Sequence, residues 1–527
     1  MNIIPKPLHC VVKEHTIKLG KATKISGDFE QTKKFAKDIL GNIDGGEGSE
    51  LRFLTDEKVP HEGYVFICDK NSKVLTISAS GEAGAFYGLM TLKQLLGNDD
   101  IIHCADIQDS PKYAYRGFML DSARHFWSVE KIKQILDIMA NLKMNIFHWH
   151  LTDDQGWRAE IKKYPLLTEK GCIRKDTPLS LKGYVQKKEP HDGVEYGKGL
   201  FYSQEEMKDI VAYAKERHIE VVPEVDMPGH MVAAISCYPN LSCDEKPAEV
   251  SNRWGVMDNI CCCGKEDVYN FAKDIIDELC EIFTGRFFHI GGDEVPKSRW
   301  EKCPRCQAKI KELGLKNENA LQGYFNNEIA KYLKSKGKRM IGWNEVLDAQ
   351  DIMDNDIVAQ WWVKRKGDKN EFAWMEKGGK LILSMSSYVY MDHPYNVRPL
   401  SKTYSLSAKK LGVMNDSNIF GMEIPQWTEY ISKEQKLDML TFARLIAFAE
   451  VCWTDSSKRN YKDFEGRLEN MRDYFKTIKC NVCPQKIYRG KVYPKKYFTN
   501  ALRWNLWRIC PNYEFDEMLK MQNTQKN

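Results

Sequence analysis

The sequence predicts an α/β protein in which a (β/α)8 TIM barrel follows a small α+β domain. The first observation is a change of pattern near residue 112, where short β-like runs give way to a repeated order of strand, loop and amphipathic helix. The second is that eight strand candidates follow one another in this region. The third is the chain length of 527 residues, because one α/β barrel alone takes up about 250 residues or more.

Residues 1–110 are predicted to form the small domain. Here the runs TIKLG, LRFLT, YVFIC and VLTISAS alternate with polar turns, and EAGAFYGLMTLKQLL then has a helical pattern. The barrel is expected over residues 111–480. The basic and aromatic segment 481–527 is expected to be a C-terminal extension, for which the sequence predicts no particular structure.

Two of the helices between the barrel strands have clear sequence signals. The helix after Ser128 has a single apolar stripe, formed by Ile132, Ile135, Leu136, Met139 and Leu142. Another helix is expected to begin at Ser203, because Glu206 three residues later completes a capping box. The eight predicted strands are 116–121, 146–151, 219–226, 286–293, 338–344, 357–362, 380–384 and 419–427.

The composition is typical of an ordinary globular protein, with 43% hydrophobic and 29% charged residues. The 78 Lys and Arg residues and the 73 Asp and Glu residues are interspersed, so neither a nucleic-acid nor an anionic-membrane partner is indicated. The start MNIIPKPLHC lacks a signal-peptide pattern, and the 16 cysteines are too few for a disulfide scaffold. We therefore expect a cytoplasmic protein as written, or a secreted or periplasmic one if Met1 was added to a mature chain.

The unusual residues of the barrel region all follow the predicted strands at their C-terminal ends. Each alone has a structural explanation, as an ion-paired Arg, a core Trp or a helix-capping Asp. Their convergence on one rim favours a shared site, because active sites of such barrels are built there. In strand order these residues are Arg124, Asp153, Asp154, His230, Asp293, Glu294, Trp343, Trp361, Trp362, Tyr390, Asp392, Trp427 and Glu429.

The adjacent carboxylates of Asp293 and Glu294 are the strongest catalytic signal. Because neighbouring carboxylates repel, we expect one to be charged and hydrogen-bonded and the other to have a raised pKa, as a general acid requires. The alternative is a pair that only caps the next helix. The two glycines before them, Gly291 and Gly292, allow the backbone to bend and a ligand to approach closely.

Four aromatic residues of the rim indicate the class of ligand. Trp343, Trp362, Trp427 and Tyr390 would form an apolar box. Sugar rings and acetamido methyl groups present C–H faces that stack on aromatic rings, while Asp, Glu and Arg bind the hydroxyls. This composition favours a carbohydrate.

The HWH motif offers a competing interpretation. His148 and His150 lie on one face of a strand, which is how the metal site of a metal-dependent amidohydrolase begins. Such a site needs further ligands, and the last strand ends in QWTE without a matching cluster. The other explanation is a packed, hydrogen-bonded pair that supports Asp153.

Two Cys-x-x-Cys pairs have the spacing of half a zinc ribbon each. They are Cys303 with Cys306 and Cys480 with Cys483, and a shared structural zinc would require the fold to bring the two pairs together. The run 261–263 is three cysteines long, but its side chains alternate in direction if extended, which makes a poor ligand set.

Seven motifs, taken in order, resemble the signature run of glycoside hydrolase family 20, the β-N-acetylhexosaminidases. They are RGFMLDSARHF, NIFHWHLTDDQGWR, VPEVDMPGH, HIGGDEV, GWNEV, YVYMD and MEIPQWTE. The N-terminal stretch EGYVFICDKNSKVLTISASGEAGAFYGLMTLKQLL is similar to the small domain that precedes the barrel in that family. The WW doublet leaves one family tryptophan open between Trp361 and Trp362.

The resemblance implies a role for each rim residue. Glu294 would be the general acid/base, and Asp293 would orient and stabilise the acetamido group of the substrate. Tyr390 would donate to the acetamido carbonyl. The remaining implied roles are ring-hydroxyl binding by Arg124, Glu429 and Asp392, polar support behind Glu294 by Asp153 and His230, and enclosure of the methyl group and sugar by Trp343, Trp362 and Trp427.

The resemblance also implies the reaction, without a metal or an organic cofactor. We expect an exo-acting, retaining hydrolase that removes a terminal β-linked GlcNAc or GalNAc from a glycan or amino-sugar oligosaccharide, with the acetamido group as nucleophile. The alternatives are the amidohydrolase barrel and a non-catalytic sugar-binding barrel, which would keep the aromatic box without needing Glu294. The natural glycan, its linkage and the oligomeric state stay open.

Overall fold

The computed structural model describes residues 1–21, 23–41, 48–69, 71–96, 100–178, 192–365, 368–492 and 513–524. The N-terminal part is a mixed six-stranded sheet in the order β1-β6-β4-β5-β3-β2. Its strands are β1 (His9–Lys18), β2 (Lys24–Gly27), β3 (Glu50–Thr55), β4 (Tyr64–Asp69), β5 (Val74–Ala79) and β6 (Ile101–Asp109). Alternate residues of β5 are buried, as expected for strands with one core face.

The helices α1 (Glu30–Leu40) and α2 (Glu82–Leu96) accompany this sheet, and α2 packs on β4, β5 and β6. The small domain contacts the barrel through Glu62, whose carboxylate oxygens lie 3.0 and 2.9 Å from the guanidinium of Arg116. A second ion pair joins Asp109 to Lys143 at 3.2 Å. Because Arg116 and Lys143 lie at the starts of barrel strands, the small domain packs at the end of the barrel opposite the rim.

The larger sheet is a closed barrel of eight parallel strands. Its members are β7 (Tyr115–Asp121), β8 (Ile146–Asp153), β10 (Glu220–Val225), β11 (Phe287–His289), β12 (Arg339–Trp343), β13 (Val358–Trp361), β14 (Lys380–Leu383) and β15 (Ile419–Gln426). Pairing of β15 with β7 and of β8 with β10 closes the ring. The short strand β9 (Gly156–Trp157) pairs with the end of β8. The predicted (β/α)8 barrel is confirmed, and all eight predicted strands overlap observed ones.

The barrel interior changes from apolar to polar toward the rim. Its lowest layer is a buried apolar cluster, formed by Tyr115, Ile146, Val222, Phe287, Ile341, Val358 and Ile382. Because every second residue of a strand points inward, the next layer is set by the residue two positions further on. Those residues are Gly117, His148, Glu224, His289, Trp343, Gln360 and Ser384, all of them buried.

Helices surround the barrel strands. The helix after Ser128 begins with the Ser128 side chain accepting from the Lys131 N–H, and the helix after Ser203 has the predicted capping box. The helices are α3 (Val129–Asn141), α4 (Leu166–Glu169), α5 (Gln204–Glu216), α6 (Val232–Cys237), α7 (Glu266–Ile282), α8 (Ser298–Lys302), α9 (Pro304–Glu312), α10 (Glu318–Ser335), α11 (Lys369–Glu376), α12 (Ser386–Val389), α13 (Leu400–Tyr404) and α14 (Glu434–Trp453). Among the described residues, 3₁₀ helices lie at Pro239–Leu241, Asn344–Ala349 and Ala408–Leu411. None of the described helices has the length and apolar character that a membrane crossing requires.

The C-terminal part adds the helices α15 (Tyr461–Asn470), α16 (Arg472–Thr477), α17 (Gln485–Tyr488) and α18 (Tyr513–Thr524). Of the predicted extension 481–527, residues 493–512 and 525–527 lie outside the described residues. In α18, the carboxylate of Glu514 accepts the backbone N–H groups of Tyr395 (2.8 Å) and Asn396 (2.7 Å). The C-terminal helix therefore packs on the loop that follows barrel strand β14.

Candidate active site

The rim residues predicted from the sequence come together at the C-terminal ends of the barrel strands. The pair Asp293 and Glu294 follows β11 along the chain. The side chain of Asp293 is 11% exposed, whereas 38% of the Glu294 side chain is exposed. Glu294 therefore faces the open end of the barrel, where a leaving group can depart.

The backbone before this pair is tightly constrained. Gly291 and Gly292 have φ angles of +65° and +86°, and Glu294 itself has a φ of +47°. A Cβ atom on Gly291 would lie 1.9 Å from Oδ1 of Asp226, so only glycine fits there. A non-glycine residue in this left-handed region costs on the order of 1–3 kcal/mol, and such strain is concentrated at functional sites.

His230 lies between the two carboxylates. Its Nε2 atom is 3.8 Å from Oδ2 of Asp293 and 3.8 Å from Oε2 of Glu294. Burial would lower the pKa of His230, but the carboxylates of Asp153 and Asp154, 3.3 and 3.1 Å from its Nδ1 atom, raise it well above its ordinary value. His230 is therefore a cation that favours negative charge on Asp293 and Glu294.

Both carboxylates of the pair have raised pKa values. Burial raises the pKa of Glu294, and Glu345 adds to this effect while His230 opposes it. Burial also raises the pKa of Asp293 well above its ordinary value, with Asp226 adding, and the pKa of Asp226 itself rises to about 7. The sequence led us to expect one charged carboxylate and one with a raised pKa, and this expectation was wrong. Asp293 is buried and lies beside the carboxylate of Asp226, which the sequence pattern did not single out.

Arg124 is held rigidly at the rim. Its Nη2 atom lies 2.7 Å from Oδ2 of Asp153, its Nη1 atom lies 3.3 Å from Oδ2 of Asp121, and its Nε–H donates to Oε1 of Gln155 at 2.8 Å. Its guanidinium carbon also lies 5.1 Å from the ring centroid of Trp427. Within the described part of the chain, these contacts occupy three of the five guanidinium N–H groups. One N–H group on each terminal nitrogen therefore stays available for a ligand.

A buried charged network lies directly below the rim. His148 Nδ1 is 2.8 Å from Glu423 and its Nε2 is 3.1 Å from Glu224, while His150 contacts Glu224 through Nδ1 and Asp153 through Nε2 at 3.0 Å. Both nitrogens of each histidine therefore already face a carboxylate. His150 is thus the hydrogen-bonded support for Asp153 that the second explanation predicted, whereas His148 contacts Glu423 and Glu224 instead.

The four predicted aromatic residues form a closed box. Trp343 lies 6.5 Å from Trp362 and 5.8 Å from Trp427, measured between ring centroids. Tyr390 stacks on Trp362 at 5.8 Å and lies 6.1 Å from Trp427. Trp361 is instead fully buried, and its Nε1–H donates to the Val363 carbonyl. The ambiguity in the WW doublet is thus resolved in favour of Trp362.

Two acidic residues complete the opposite side of the rim. Oδ2 of Asp392 lies 2.9 Å from Nδ1 of His393, and Oδ1 of Asp392 is buried without a hydrogen-bond partner in the described structure. Burial raises the pKa of Glu429 to about 7, because the nearby Arg124 offsets it only in part.

Three site residues were missed by the sequence reasoning. Glu345 accepts from Nε1 of Trp362 at 2.9 Å, Asp226 accepts from the Gly292 N–H at 3.0 Å, and Gln155 accepts from Arg124. Glu345 and Asp226 lie in the motifs GWNEV and VPEVDMPGH, two residues and one residue beyond the observed ends of β12 and β10. Position relative to the strand end was therefore a usable signal for both.

The two Cys-x-x-Cys pairs do not share a site. Cys480 is buried near Lys131 and Asp438, and Cys483 lies beside Tyr395. A zinc shared by these two pairs is therefore excluded by their separation in the fold. The neighbours of Cys303 and Cys306 are two other cysteines, described below.

Comparison with known proteins agrees with this geometry. The family model described as "Glycosyl hydrolase family 20, catalytic domain" matches residues 113–456, and the model for "domain 2" of the same family matches residues 1–110. The chain belongs to glycosyl hydrolase family 20. This family membership excludes the amidohydrolase alternative.

Individual relatives within family 20 are closely similar. A beta-hexosaminidase from Porphyromonas gingivalis is 36% identical over 509 residues, which cover 89% of this chain and 62% of that protein. A beta-hexosaminidase from Vibrio furnissii is 31% identical, with 85% of this chain and 76% of that protein covered. The chain thus spans less than two thirds of the Porphyromonas relative.

Two solved structures have the same fold. A family 20 exo-β-N-acetylglucosaminidase from Vibrio harveyi, in complex with N-acetylglucosamine, superposes with a TM-score of 0.79 at 29% identity and covers 92% of this chain and 78% of its own. A β-N-acetylhexosaminidase from Bacteroides fragilis gives a TM-score of 0.79 at 30% identity, with 92% and 97% covered.

Proposed function

We propose that the protein is an exo-acting, retaining β-N-acetylhexosaminidase that removes a terminal β-linked GlcNAc or GalNAc from the non-reducing end of a glycan. The observation that carries the proposal is the position of Asp293 and Glu294. A buried and an exposed carboxylate, with one histidine 3.8 Å from both, lie at the open end of a barrel beside a box of four aromatic rings.

Glu294 acts as the general acid. Its raised pKa keeps a larger fraction of the carboxyl protonated near neutral pH, so it can give a proton to the glycosidic oxygen as the bond breaks. After the aglycone leaves, the same group accepts a proton from the water that hydrolyses the intermediate. The exposed position of Glu294 gives that water access.

The substrate's own acetamido oxygen acts as the nucleophile. Family 20 is one of the substrate-assisted exceptions to the two-carboxylate scheme of retaining glycosidases. Asp293 accepts the acetamido N–H, and positive charge that develops on the ring-closed intermediate favours the Asp293 carboxylate over its protonated form. The interaction therefore strengthens toward the transition state, which is where binding energy raises the rate.

The aromatic box and the rim charges fix the terminal sugar. Burial keeps the pKa of Tyr390 well above its ordinary value, so its hydroxyl stays protonated and donates to the acetamido carbonyl. Trp343, Trp362 and Trp427 enclose the acetyl methyl and support the sugar ring. The free N–H groups of Arg124, together with Asp392 and Glu429, bind ring hydroxyls.

The test compares three aryl β-glycosides with identical leaving groups, namely the GlcNAc, glucose and N-trifluoroacetylglucosamine derivatives. We expect turnover of the GlcNAc substrate, none of the glucoside, and a much slower reaction of the trifluoroacetyl compound, because fluorine weakens the carbonyl as a nucleophile. A thiazoline analogue of the intermediate should inhibit far more tightly than GlcNAc. Equal turnover of GlcNAc and glucose substrates, or a trapped covalent glycosyl-enzyme, would refute the proposal.

A further inference from the structure

Four cysteines meet in one cluster beside the catalytic loop. The Sγ atoms of Cys243, Cys262, Cys303 and Cys306 all lie within 4.8 Å of one another. Cys262 is the central member, with its sulfur 3.7 Å from that of Cys303 and 3.5 Å from that of Cys306. Three of the four side chains are buried, and Cys243 is half-buried.

We propose that Cys243, Cys262, Cys303 and Cys306 bind one structural zinc ion. Four thiolates at about 2.3 Å from a tetrahedral zinc ion place neighbouring sulfur atoms about 3.8 Å apart. The sulfur–sulfur distances of 3.5 and 3.7 Å from Cys262 agree with that spacing. They are much too long for a disulfide, in which the sulfur atoms are about 2.05 Å apart.

The local backbone presents the four sulfur atoms to one point. Cys303 is the N-cap of α9, with Pro304 at the first helical position, so Cys303 and Cys306 lie on the same side of the first turn. In the run 261–263 only the middle side chain joins the cluster, as alternating directions require. A methyl group on Gly264 would lie 2.5 Å from the backbone nitrogen of Cys306, so glycine lets the two segments touch.

The site connects the loops that carry the catalytic residues. Cys243 and Cys262 belong to the connection after β10, which also holds His230, and Cys303 and Cys306 follow Glu294 in the connection after β11. Two backbone contacts tighten this arrangement: the Cys261 N–H donates to the Pro228 carbonyl at 3.0 Å, and Nε1 of Trp300 donates to the Cys261 carbonyl at 2.8 Å. Zinc would thus cross-link the two loops that set the distance between His230 and Glu294.

A structural and not a catalytic role follows from the ligand set. Four cysteines complete the tetrahedral coordination of zinc and leave no position for water or substrate. Because the ligands come from two loops, the binding energy of the metal adds directly to the stability of the folded state. The inference is independent of the proposed glycosidase activity, since its readout is metal content and thermal stability.

The experiment begins with the unaltered protein, purified without chelators and dialysed under reducing conditions. Elemental analysis should give one zinc per chain. After removal of the metal by a chelator, added Co²⁺ should give the intense sulfur-to-cobalt charge-transfer bands of tetrahedral thiolate coordination, and added Zn²⁺ should raise the melting temperature.

A matched pair of variants locates the site. Cys303→Ala with Cys306→Ala should lose the zinc and the response of the melting temperature to Zn²⁺. Cys480→Ala with Cys483→Ala removes the same spacing of buried cysteines elsewhere and should retain one zinc per chain. Retention of zinc by the first variant would overturn the assignment.

The unaltered protein keeps the proposal falsifiable even if a variant fails to fold. Absence of zinc from the purified protein together with no cobalt bands after reconstitution would refute it. A disulfide between any two of the four cysteines, found by mass spectrometry of protein purified under reducing conditions, would refute it equally.

Discussion

The position of His230 between the two catalytic carboxylates leads to a prediction about the pH profile. His230→Asn removes the cation but keeps a residue that tolerates the left-handed backbone, since His230 has a φ of +51°. The cation favours the charged form of each carboxylate, so its removal raises the pKa values of both Asp293 and Glu294. The proposed mechanism needs Glu294 protonated and Asp293 ionised.

The direction of each shift follows from these two requirements. Activity is lost as the pH rises through the pKa of Glu294, so a higher pKa moves the basic limb of kcat/KM to higher pH. Activity is also lost as the pH falls through the pKa of Asp293, so a higher pKa there moves the acidic limb to higher pH as well. Both limbs therefore move in the same direction.

The magnitude follows from the 3.8 Å separation between His230 Nε2 and each carboxylate. Two unit charges at this distance interact by about 1 kcal/mol with the screening of water and by about 4 kcal/mol at an effective dielectric constant near 20. These energies correspond to roughly 1 and 3 pKa units. For the exposed Glu294 we expect a pKa change near the lower of these values, and for the buried Asp293 a larger one. The acidic limb should therefore move further than the basic limb, and the range of pH with high activity should narrow.

The assay is kcat/KM for an aryl β-GlcNAc substrate across the range of pH in which the protein stays folded. The control is His125→Gln, because burial lowers the pKa of His125 to about 3 and this neutral histidine should leave both limbs in place. If His230→Asn lowered activity equally at every pH, or moved the limbs to lower pH, the electrostatic reasoning would be wrong.

Three further predictions concern the acid, the loop and the box. Glu294→Gln should lower the rate by about 10² to 10⁴ for a natural glycan and less for an aryl substrate whose leaving group needs no proton; equal losses would contradict its role. Gly291→Ala forces a methyl group into the carboxylate of Asp226 and should lower the melting temperature strongly. The control Gly314→Ala, at a φ of +61° with open space around it, should lower the free energy of unfolding by only about 1 kcal/mol. Similar losses of unfolding free energy for the two variants in denaturant would refute the packing argument. Trp362→Ala should lower kcat/KM for the GlcNAc substrate at least tenfold, and an unchanged value would remove Trp362 from the box.

The fold was predictable because its signals are local. Each barrel strand is a short apolar run with a distinct strand end, and the capping residues Ser128 and Ser203 begin their helices as expected. The rim residues were predictable for the same reason, since the residue after a barrel strand faces the active site whatever the details of packing. The catalytic roles of these residues stay predictions.

Other features depend on contacts between distant segments and have no local signal. The second carboxylate beside Asp293, Asp226, comes from the strand next to β11, and its effect on the pKa depends on side-chain depth. The cysteine cluster combines Cys243 and Cys262 with a Cys-x-x-Cys pair, and this ligand spacing matches no contiguous zinc motif. Sequence spacing could offer only Cys480 and Cys483 as a second pair for Cys303 and Cys306, whereas loop contacts bring Cys243 and Cys262 to them.

The polar layer inside the barrel explains how the rim is held in place. Glu224 faces His148, His150 and His289, and its Oε1 atom accepts from the indole N–H of Trp343 at 2.9 Å. Burial alone would raise the pKa of Glu224, but its histidine neighbours, His150 foremost, hold it well below its ordinary value.

This one carboxylate therefore supports two parts of the site. Through His150 it orients Asp153, which in turn binds both Arg124 and His230, and through Trp343 it fixes one wall of the aromatic box. A charged group in a barrel interior is costly unless each partner is satisfied. Here the contacts of Glu224 with three histidines and the Trp343 indole offset this cost. In the proposed mechanism the same network sets the charge of His230 and the position of the acetamido pocket, so it joins acid catalysis to substrate recognition.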